Sequence, residues 1–557
     1  MKEEKFLDII KDELRAGMFD ILDKIILGRN YKNLDKLAIN QALLMNRFDR
    51  GYSALEKFLL KHGASRKLAF MPLSNLGNSI FYSKNNDLMG FDYFYTSDRL
   101  ITKRMLRELG NPEKKIGPVI HVTGSNGKGS TATFLESLFR ENGYKVNKFI
   151  SPCIVRNNEE IVLNGEEISD EEYYEHITQV KEIYDRVMGD EDFVRELEEV
   201  IDHEIENHKI SKAKKGEKHI TVRVFLVPAM ILSFLKHKAD VNIIEVYVGG
   251  LEDHTNIFTE NEILATVATA IRHGIGSNDD LMRRMGENGK WFNSNKTFAY
   301  HKAMLSRSGR PMVTANQLPD VLEEIRRVAK ENGAYTVEYG RDWFAESDGD
   351  GGFTFRGFGR ELKLKISKKL IDDDYQILNM STALATVFSQ DKFKIEEASA
   401  QRVLDGASPL IGRLKICDDG FYRKYFGKNC NVIAGFMKNG DTKSIEKIFN
   451  SLEGDVYIAY TTGSAKSKGK HKIFFELLKN YANVKRLIIY KYNEEEFKNI
   501  IDEAVETRMA FSTANYLAIA LRQIKDEMDP KKKNNVFILH NSIISFDKNI
   551  ILLDKII

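Results

Sequence analysis

The stretch HVTGSNGKGST, residues 121–131, places three glycines, a lysine and two pairs of hydroxyl residues around one turn. Glycines permit backbone conformations that residues with a Cβ resist, so successive N–H groups can surround an anion. Lys128 adds a charged donor, and Ser130 or Thr131 offers a hydroxyl to a phosphate-bound magnesium ion. This combination predicts a phosphate-binding loop made by Gly124, Asn126, Gly127, Lys128, Gly129, Ser130 and Thr131.

The spacing of this loop, G-x-x-G-K-G-S-T, is shorter than the common phosphate-loop pattern G-x-x-x-x-G-K-[ST]. A glycine-rich turn that only reverses the chain between a strand and a helix is the alternative interpretation. The lysine and the hydroxyl groups favour phosphate binding, because they add donors to the positive end of the helix that follows.

The elements around the loop must hold it in place. The run GPVIHVTG before the loop predicts a buried strand, and TATFLESLFREN after it predicts a helix. Further strand-like runs, VNKFI, VNIIEVYV and ILATVATAI, alternate with helical runs. This alternation predicts an α/β fold with a mostly parallel sheet. A second alternation after about residue 410 predicts another, smaller α/β domain.

The length of 557 residues is too great for one compact core, so we expect several domains. We predict a helical N-terminal extension over residues 1–96, a phosphate-loop domain over 97–407 and an α/β domain over 408–557. The charged segment 185–219 interrupts the middle domain, and it predicts an exposed helical excursion with a mobile basic end.

The composition excludes several classes of function. A formal net charge of +2 gives no case for a nucleic-acid surface. The three cysteines lie far apart, which indicates neither a disulfide framework nor a cysteine zinc site and fits a reducing, cytoplasmic setting. Since no run of 18 apolar residues occurs, we expect no membrane span.

The residues from Asp98 to Val146, DRLITKRMLRELGNPEKKIGPVIHVTGSNGKGSTATFLESLFRENGYKV, resemble the start of folylpolyglutamate synthases, which are relatives of the Mur ligases. The likeness continues through FISPCIVRNNEEIVLNGEEIS, which is similar to the family's T-S-P-H-L-x-x-F-N-E-R-I segment and the strand after it. The resemblance implies a Mur-ligase-like central domain and a Rossmann-like C-terminal domain. It does not include the N-terminal extension.

An acidic residue within a buried run is the best candidate for a metal ligand. The segment ADVNIIEVYVGGLEDHTNIF resembles the family's V-D-V-A-V-L-E-V-G-L-G-G-R-L-D-A-T-N, in which Glu245 takes the place of the acid. A carboxylate at the carboxyl end of a strand must be solvated or neutralised by a cation, and magnesium prefers oxygen ligands. The resemblance places the Ser151 hydroxyl beside Glu245, and Ser130 is the third predicted metal ligand.

A lysine and a histidine complete the set that the resemblance implies around the metals. TFAYHKAMLSRSGRPMV is similar to I-A-x-E-K-A-G-I-I-K-P-G-x-P-V-V, and it aligns Lys302 with a lysine that is carbamylated in the family. His273 is the candidate for the family's histidine ligand. Lys128, Glu245 and Lys302 are therefore the predicted catalytic residues.

The resemblance also implies residues for the nucleotide. Gln376 and Asn379 fit the family's G-x-H-Q-x-x-N segment, and amide side chains suit adenine because they both donate and accept hydrogen bonds. Arg413 fits W-P-G-R-L-E and would clamp phosphate through its planar guanidinium group. The family's D-x-A-H-N-P segment is lost, because Ala434 falls at its aspartate and Met437 at its histidine.

Our leading hypothesis is an ATP-dependent amide ligase with magnesium, which phosphorylates a small-molecule carboxylate and joins it to the amino group of glutamate or another amino acid. We expect no nucleic-acid or membrane partner and take a monomer as the working hypothesis. The lost D-x-A-H-N-P segment motivates an alternative, a regulatory ATP-binding protein without turnover. A plain phosphate-loop NTPase is the third hypothesis.

Overall fold

A computed structural model describes most of the chain after residue 94. The described residues are 95–151, 157–207, 223–271, 295–349, 351–367, 370, 373–407, 415–416, 425–436, 446, 448–450, 452–461, 470–490, 494–514 and 517–540. They divide into two compact units, with the change from the first to the second between residues 408 and 409. The predicted N-terminal extension lies outside the described residues, apart from its last two residues.

The described strands of the first unit form an eight-stranded sheet with the order β4-β3-β2-β5-β1-β6-β7-β8. Six neighbouring strands run parallel to one another: β2, β5, β1, β6, β7 and β8. At one edge of the sheet, β3 pairs antiparallel with β2, and β4 pairs antiparallel with β3. Their bounds are β1 Val119–Thr123, β2 Val146–Phe149, β3 Ile161–Leu163, β4 Glu166–Glu167, β5 Val241–Glu245, β6 Ile263–Ala268, β7 Pro311–Thr314 and β8 Tyr335–Glu338.

The central strands of this sheet are buried along their whole length, as expected for a parallel sheet that is covered by helices. The predicted strands and helices around the phosphate loop are confirmed, although each strand is shorter than the run that predicts it. The described helices are α1 Tyr95–Glu108, α2 Lys128–Glu141, α3 Asp170–Met188, α4 Glu191–Asn207, α5 Arg223–Lys236, α6 Asn295–Ala303, α7 Pro319–Glu331, α8 Asp373–Phe388 and α9 Glu397–Gly406.

The charged segment 185–219 is helical where it is described, as expected, but it is not simply an exposed excursion. It begins inside α3, where Val187 is buried, and Leu197 of α4 is buried as well. Both pack in a cluster with apolar residues of α1 and α5. Few apolar residues occur among the acidic ones, but they recur at helical spacing and form a narrow apolar face. This face packs the segment against α1 and α5. The predicted basic end lies outside the described residues.

A three-stranded antiparallel sheet in the first unit was not predicted. It consists of β9 Trp343–Gly349, β10 Gly352–Gly357 and β11 Arg360–Lys365. Trp343, Phe353 and Phe355 are fully buried and share the core cluster that includes residues of α2 and α8. This packing fixes the position of α8, which borders the phosphate loop.

The described strands of the second unit form a six-stranded sheet with the order β12-β13-β17-β14-β15-β16, parallel except for β12. The second alternation of strands and helices is therefore confirmed, although β12 and β16 were not predicted. The elements are β12 Lys415–Ile416, β13 Cys430–Phe436, β14 Asp455–Thr461, α10 Lys470–Leu478, β15 Val484–Tyr490, α11 Glu494–Glu506, β16 Ser512–Ala514, α12 Leu517–Glu527 and β17 Asn534–His540.

The two units together give the mixed α/β class that the sequence predicts. Among the described helices, none combines the length and the apolar character needed to cross a lipid bilayer.

Candidate active site

The turn between β1 and α2 can be built only with glycine at two positions. Gly124 has φ +141° and Gly127 has φ +87°, in a region that residues with a Cβ rarely adopt. A Cβ on Gly124 would lie 1.8 Å from Thr269 Oγ1, and a Cβ on Gly127 would lie 2.1 Å from Asn379 Oδ1. The loop is therefore packed against the end of β6 on one side and against α8 on the other.

The N-terminus of α2 is open to an anion. Gly127 is its N-cap residue, and no side chain caps the helix. The amides of the first turn have no acceptor within an α-helix, so those of Lys128, Gly129 and Ser130 form the positive end of the helix dipole. The next amide, that of Thr131, donates to the Gly127 carbonyl at 2.8 Å and begins the helical ladder.

The loop differs from the prediction in the use of two other amides. The Ser125 and Asn126 N–H groups both donate to the Ala270 carbonyl, at 3.0 and 3.1 Å. These two amides therefore donate within the protein, and a contact of Asn126 with phosphate stays a prediction. The cause is the close approach of the segment after β6, which the sequence does not reveal.

The two hydroxyl residues of the loop have different environments. Ser130 is half-buried, whereas Thr131 is fully buried. Within the described part of the chain, the Thr131 hydroxyl has no hydrogen-bond partner. The exposure of Ser130 agrees with the choice of Ser130 as the metal ligand from this loop.

Glu245 and Lys128 lie together at the carboxyl end of the sheet. Glu245 is the last residue of β5 and is almost fully buried, and its Oε1 lies 3.4 Å from Lys128 Nζ. The Ser151 amide donates to Glu245 Oε2 at 3.2 Å. The structure thus brings the predicted acid, the predicted loop lysine and the predicted serine into one cluster, and the contact from Ser151 is made by its backbone.

Lys302 reaches the same cluster from α6. It is buried, and its Nζ donates to the Gly124 carbonyl at 3.0 Å. Burial, followed by the nearby charge of Lys128, lowers the pKa of Lys302 from 10.5 to about 7, and Asp253 opposes this change. A substantial part of the Lys302 population is therefore a neutral amine at neutral pH.

The segment after β5 is held by a buried carboxylate. Asp253 Oδ2 accepts the Val248 amide at 2.8 Å, and Oδ1 accepts both the amide and the hydroxyl of Thr255, at 2.9 and 2.6 Å. Asp253 and Thr255 are fully buried. These contacts give the matched motif residues a structural function, which is to fix the turn that contains Gly249 and Gly250.

His121 supports this turn from β1. Its Nε2 lies 2.8 Å from Thr255 Oγ1. Since the single hydroxyl proton of Thr255 goes to Asp253, the network assigns His121 Nε2 as the donor and Thr255 as the acceptor. Burial lowers the pKa of His121 from 6.5 to about 3, with a smaller effect of Arg307, so His121 is neutral at physiological pH.

Two further contacts attach the turn to its neighbours. Thr123 Oγ1 donates to the Gly249 carbonyl at 2.9 Å, and the Leu251 amide donates to the His301 carbonyl at 2.9 Å. A Cβ on Gly250 would lie 2.4 Å from that same carbonyl. The turn is thus joined both to the strand before the phosphate loop and to α6, which carries Lys302.

Asn379 and Gln376 lie on α8, beside the phosphate loop. Asn379 is buried next to Gly127, and its Nδ2 donates to Gln376 Oε1 at 3.4 Å. Their location beside the loop agrees with a nucleotide site, and their contact with adenine stays a prediction.

Several predicted positions lie outside the described residues: Arg413, His273 and Met437. Ala434 is described, and it is a buried residue of β13 that pairs with Lys415 and Ile538. No polar group therefore occupies the position where the family's segment has an aspartate.

The donor atoms of the cluster fit a hard divalent cation. The described residues contain no group of three or more His, Cys, Asp or Glu side chains that could hold a metal. Magnesium commonly takes one or two carboxylates and completes its coordination with substrate phosphates and water. Glu245 offers a carboxylate of that kind, and the Ser151 and Ser130 hydroxyls as further oxygen donors stay a prediction.

Sequence reasoning missed the contributions of Thr123, Thr269 and His121. The signal was present, because each is a polar residue in or directly after an apolar strand that ends at the loop. Polar side chains at the carboxyl ends of parallel strands commonly face a ligand site.

Comparison with known proteins shows which proteins this chain resembles. No protein-family model matches the chain. The chain is 35% identical over 235 residues to the dihydrofolate synthase/folylpolyglutamate synthase of Bacillus subtilis, and this match covers 42% of the chain and 45% of that protein. It is 24% identical over 400 residues to the folylpolyglutamate synthase of Lacticaseibacillus casei, covering 67% and 83% of the two chains. The chain is therefore similar to folylpolyglutamate synthases over much of its length.

Solved structures agree on the fold. The bifunctional folylpolyglutamate synthase/dihydrofolate synthase of Yersinia pestis, complexed with AMPPNP and a Mn ion, matches with a TM-score of 0.61 at 19% identity, and 85% of this chain and 96% of that chain are covered. Another structure of such a bifunctional enzyme, with Mn, AMPPNP and L-glutamate bound, matches with a TM-score of 0.59 at 19% identity over 81% and 93% of the two chains. The predicted fold class is confirmed, and the predicted resemblance to folylpolyglutamate synthases agrees with the relatives found. The match to the Bacillus relative nevertheless spans less than half of that protein.

Proposed function

We propose that this protein is an ATP-dependent carbon–nitrogen ligase of the acid–amino acid type. The γ-phosphoryl group of ATP passes to a carboxylate oxygen of an acceptor, which releases ADP. A neutral amino group then attacks the acyl phosphate, inorganic phosphate leaves and the amine loses a proton. The observation that carries this proposal is the cluster of Lys128 and Glu245 at the open N-terminus of α2.

The chain's own groups have distinct functions in this reaction. The first-turn amides of α2 bind phosphate oxygens, and Lys128 neutralises the charge that accumulates on them. Glu245, Ser151 and Ser130 would hold magnesium, which supplies positive charge to the phosphates when it is bound. The fixed turn around Asp253 keeps Lys302 and the loop in register.

Lys302 is proposed to act as a carbamate, as its alignment implies. Carbon dioxide reacts with the neutral form of an amine, and the lowered pKa of Lys302 supplies this form at neutral pH. The reaction converts a cation beside Gly124 into an anion. An additional negative oxygen there would balance the positive charge of Lys128 and of a metal ion.

The substrates are proposed from the names of the relatives. A folate-type carboxylate is the acceptor class, and glutamate is the amino acid that joins it. Gln376 and Asn379 are proposed to contact adenine and Arg413 to bind phosphate. The scattered cysteines support a cytoplasmic location, and we propose that the protein acts as a monomer.

An acceptor-dependent assay tests the proposal. The purified protein is incubated with ATP, magnesium, glutamate and a panel of folate-type acceptors, and ADP release and product mass are measured. We expect ADP only when an acceptor is present, and a product heavier by one glutamate residue. Lys128→Ala should abolish turnover, while Lys330→Ala, which removes an exposed lysine of α7, should not.

The other outcomes separate the competing hypotheses. ADP release without any acceptor would indicate a simple NTPase. ATP binding without turnover across the whole panel would favour a regulatory protein, for which the loss of polar groups at Ala434 is the motivation.

A further inference from the structure

The backbone that follows β6, residues 269–271, forms one side of the phosphate loop. The Ala270 carbonyl accepts the Ser125 and Asn126 amides, at 3.0 and 3.1 Å. The amide and the hydroxyl of Thr269 both donate to the last carbonyl of β1, at 2.9 and 3.1 Å. A displacement of this segment therefore moves the backbone of the loop.

A single side chain holds the segment 269–271. The pairing of β6 with β7 ends at Ala268 and Thr314, so the backbone groups beyond it need other hydrogen-bond partners. Gln317 Nε2 donates to the Ala268 and Thr269 carbonyls, at 3.2 and 2.9 Å. Its Oε1 accepts the Ile271 amide at 2.9 Å. A primary amide suits this position, because it can donate twice and still accept.

The end of β7 places Gln317 beside this segment. The Ala315 amide donates to the Ala268 carbonyl at 2.9 Å, so the chain after β7 still lies beside the chain after β6 at that point. The backbone then enters the next helix, because Leu318 is the N-cap residue of α7. The half-buried Gln317 side chain continues the contact that the backbone no longer makes.

The phosphate loop needs a support of this kind. Gly124 and Gly127 both have positive φ, and glycine leaves the backbone a wide choice of conformations. Ser125 and Asn126 lie between these two glycines, and their amides are fixed by the Ala270 carbonyl. The direction of the first-turn amides of α2 therefore depends on where that carbonyl is held.

We infer that Gln317 is a positioning residue for the phosphate site. It fixes the segment 269–271, and this segment fixes the loop in front of the N-cap Gly127. The inference rests on the proposed function, which assigns the amides after Gly127 to phosphate oxygens. The support of the loop itself can be measured without a ligand.

A second glutamine of the first unit is a matched control. Gln390 Nε2 donates to the Val387 and Phe393 carbonyls, at 2.8 and 3.0 Å, and Oε1 accepts the Phe393 amide at 2.9 Å. Gln390 is half-buried, as Gln317 is. The Phe393 ring packs against Phe139, which lies near the end of α2 opposite to the phosphate loop.

Gln317→Met and Gln390→Met each keep an unbranched side chain of similar length and remove all three bonds. In the full chain, calorimetry measures the affinity for a nonhydrolysable ATP analogue with magnesium, and urea unfolding measures stability. We expect Gln317→Met to weaken binding by about tenfold, because the binding amides are displaced. Gln390→Met should lose comparable stability and keep the affinity.

Hydrogen exchange of the ligand-free protein, followed by mass spectrometry of peptides from the loop, gives an independent measurement. The Ser125 and Asn126 amides should exchange faster in Gln317→Met and at the wild-type rate in Gln390→Met. If Gln317→Met does not fold, Gln317→Glu replaces it, because a carboxylate still accepts the Ile271 amide and lacks only the two donated bonds.

Three results would overturn the inference. They are wild-type affinity in Gln317→Met, an equal loss of affinity in Gln390→Met, and weaker binding in Gln317→Met with unchanged exchange in the loop. Failure of the proposed function is different, because the wild-type chain then does not bind the nucleotide. In that case the exchange decides the inference: faster exchange in Gln317→Met alone supports it, and an unchanged rate overturns it.

Discussion

Lys302 is a buried amine, and its surroundings shift its pKa away from the ordinary value for lysine. Burial disfavours the charged form and lowers the pKa of Lys302 to about 7. The neutral fraction therefore rises as the pH increases through 7 and falls below that value. Any reaction that needs the neutral amine must follow the same direction.

Carbamylation of Lys302 is consequently expected to depend on pH. In protein equilibrated with ¹³C-labelled bicarbonate, a carbamate carbon resonance should be present at pH 8 and should decrease as the pH falls below 7. Lys302→Met should lose the resonance, while Lys330→Met should keep it. An equally strong resonance in Lys302→Met would contradict the assignment.

The Thr255 hydroxyl joins a buried histidine to a buried carboxylate. Thr255→Val keeps the shape of the side chain and leaves the His121 and Asp253 atoms without this partner, which should cost about 1–3 kcal/mol of unfolding free energy. Thr259→Val is the matched control, because the Thr259 hydroxyl bonds to Glu262 at an exposed position. Urea unfolding measures both variants. Equal losses in the two would show that burial of the network adds nothing.

The start of α2 depends on the backbone of its N-cap residue. Gly127 and Gly143 lie at opposite ends of this helix and both have positive φ, +87° and +82°. A Cβ on Gly127 collides with Asn379, whereas a Cβ on Gly143 meets nothing within 4 Å. Substitution by alanine imposes backbone strain of about 1–2 kcal/mol at both positions, but it displaces neighbouring atoms only at Gly127.

Gly127→Ala should therefore weaken ATP binding by about tenfold or more, since small displacements of a binding group are costly. Gly143→Ala should lose a comparable amount of stability from strain and keep its affinity for ATP. Calorimetry with magnesium and a nonhydrolysable ATP analogue measures the affinity. Wild-type affinity in Gly127→Ala would mean that the loop tolerates the displacement and does not bind phosphate as proposed.

Strands with continuous apolar runs could be predicted from the sequence, because they are buried on both faces in a parallel sheet. The hairpin between β10 and β11 could not. Its turn residues, Phe358 and Gly359, both have positive φ, as a two-residue hairpin requires, but phenylalanine is not the residue that signals such a turn.

The candidate site shows the same division between local and long-range information. The glycines and Lys128 are recognisable within one turn of sequence, and Glu245 interrupts an apolar run. The contacts of Ser125 and Asn126 with Ala270 join residues more than 140 positions apart, so no local pattern contains them. The hydrogen bond from the Tyr247 hydroxyl to Glu160 likewise joins two segments that are far apart in the sequence.

The two units of the chain differ in how many residues of the matched family segments they retain. The first unit retains the phosphate loop, the buried acid and the lysine in one cluster. The second keeps the α/β alternation but has the apolar Ala434 where the family's segment has an aspartate. Because activation of a carboxylate needs only the groups of the first cluster to contact phosphate and metal, we expect that this change does not prevent turnover.

Transfer of oxygen from the acceptor to phosphate is the most direct test of the proposed ligase reaction. The acceptor is prepared with ¹⁸O in its reacting carboxylate, and the inorganic phosphate released during ligation is analysed by mass spectrometry. A carboxylate that is phosphorylated and then attacked by an amine must leave one of its oxygens in phosphate. We predict one ¹⁸O atom in each phosphate formed. Phosphate without the label, released together with ligated product, would contradict the acyl phosphate route.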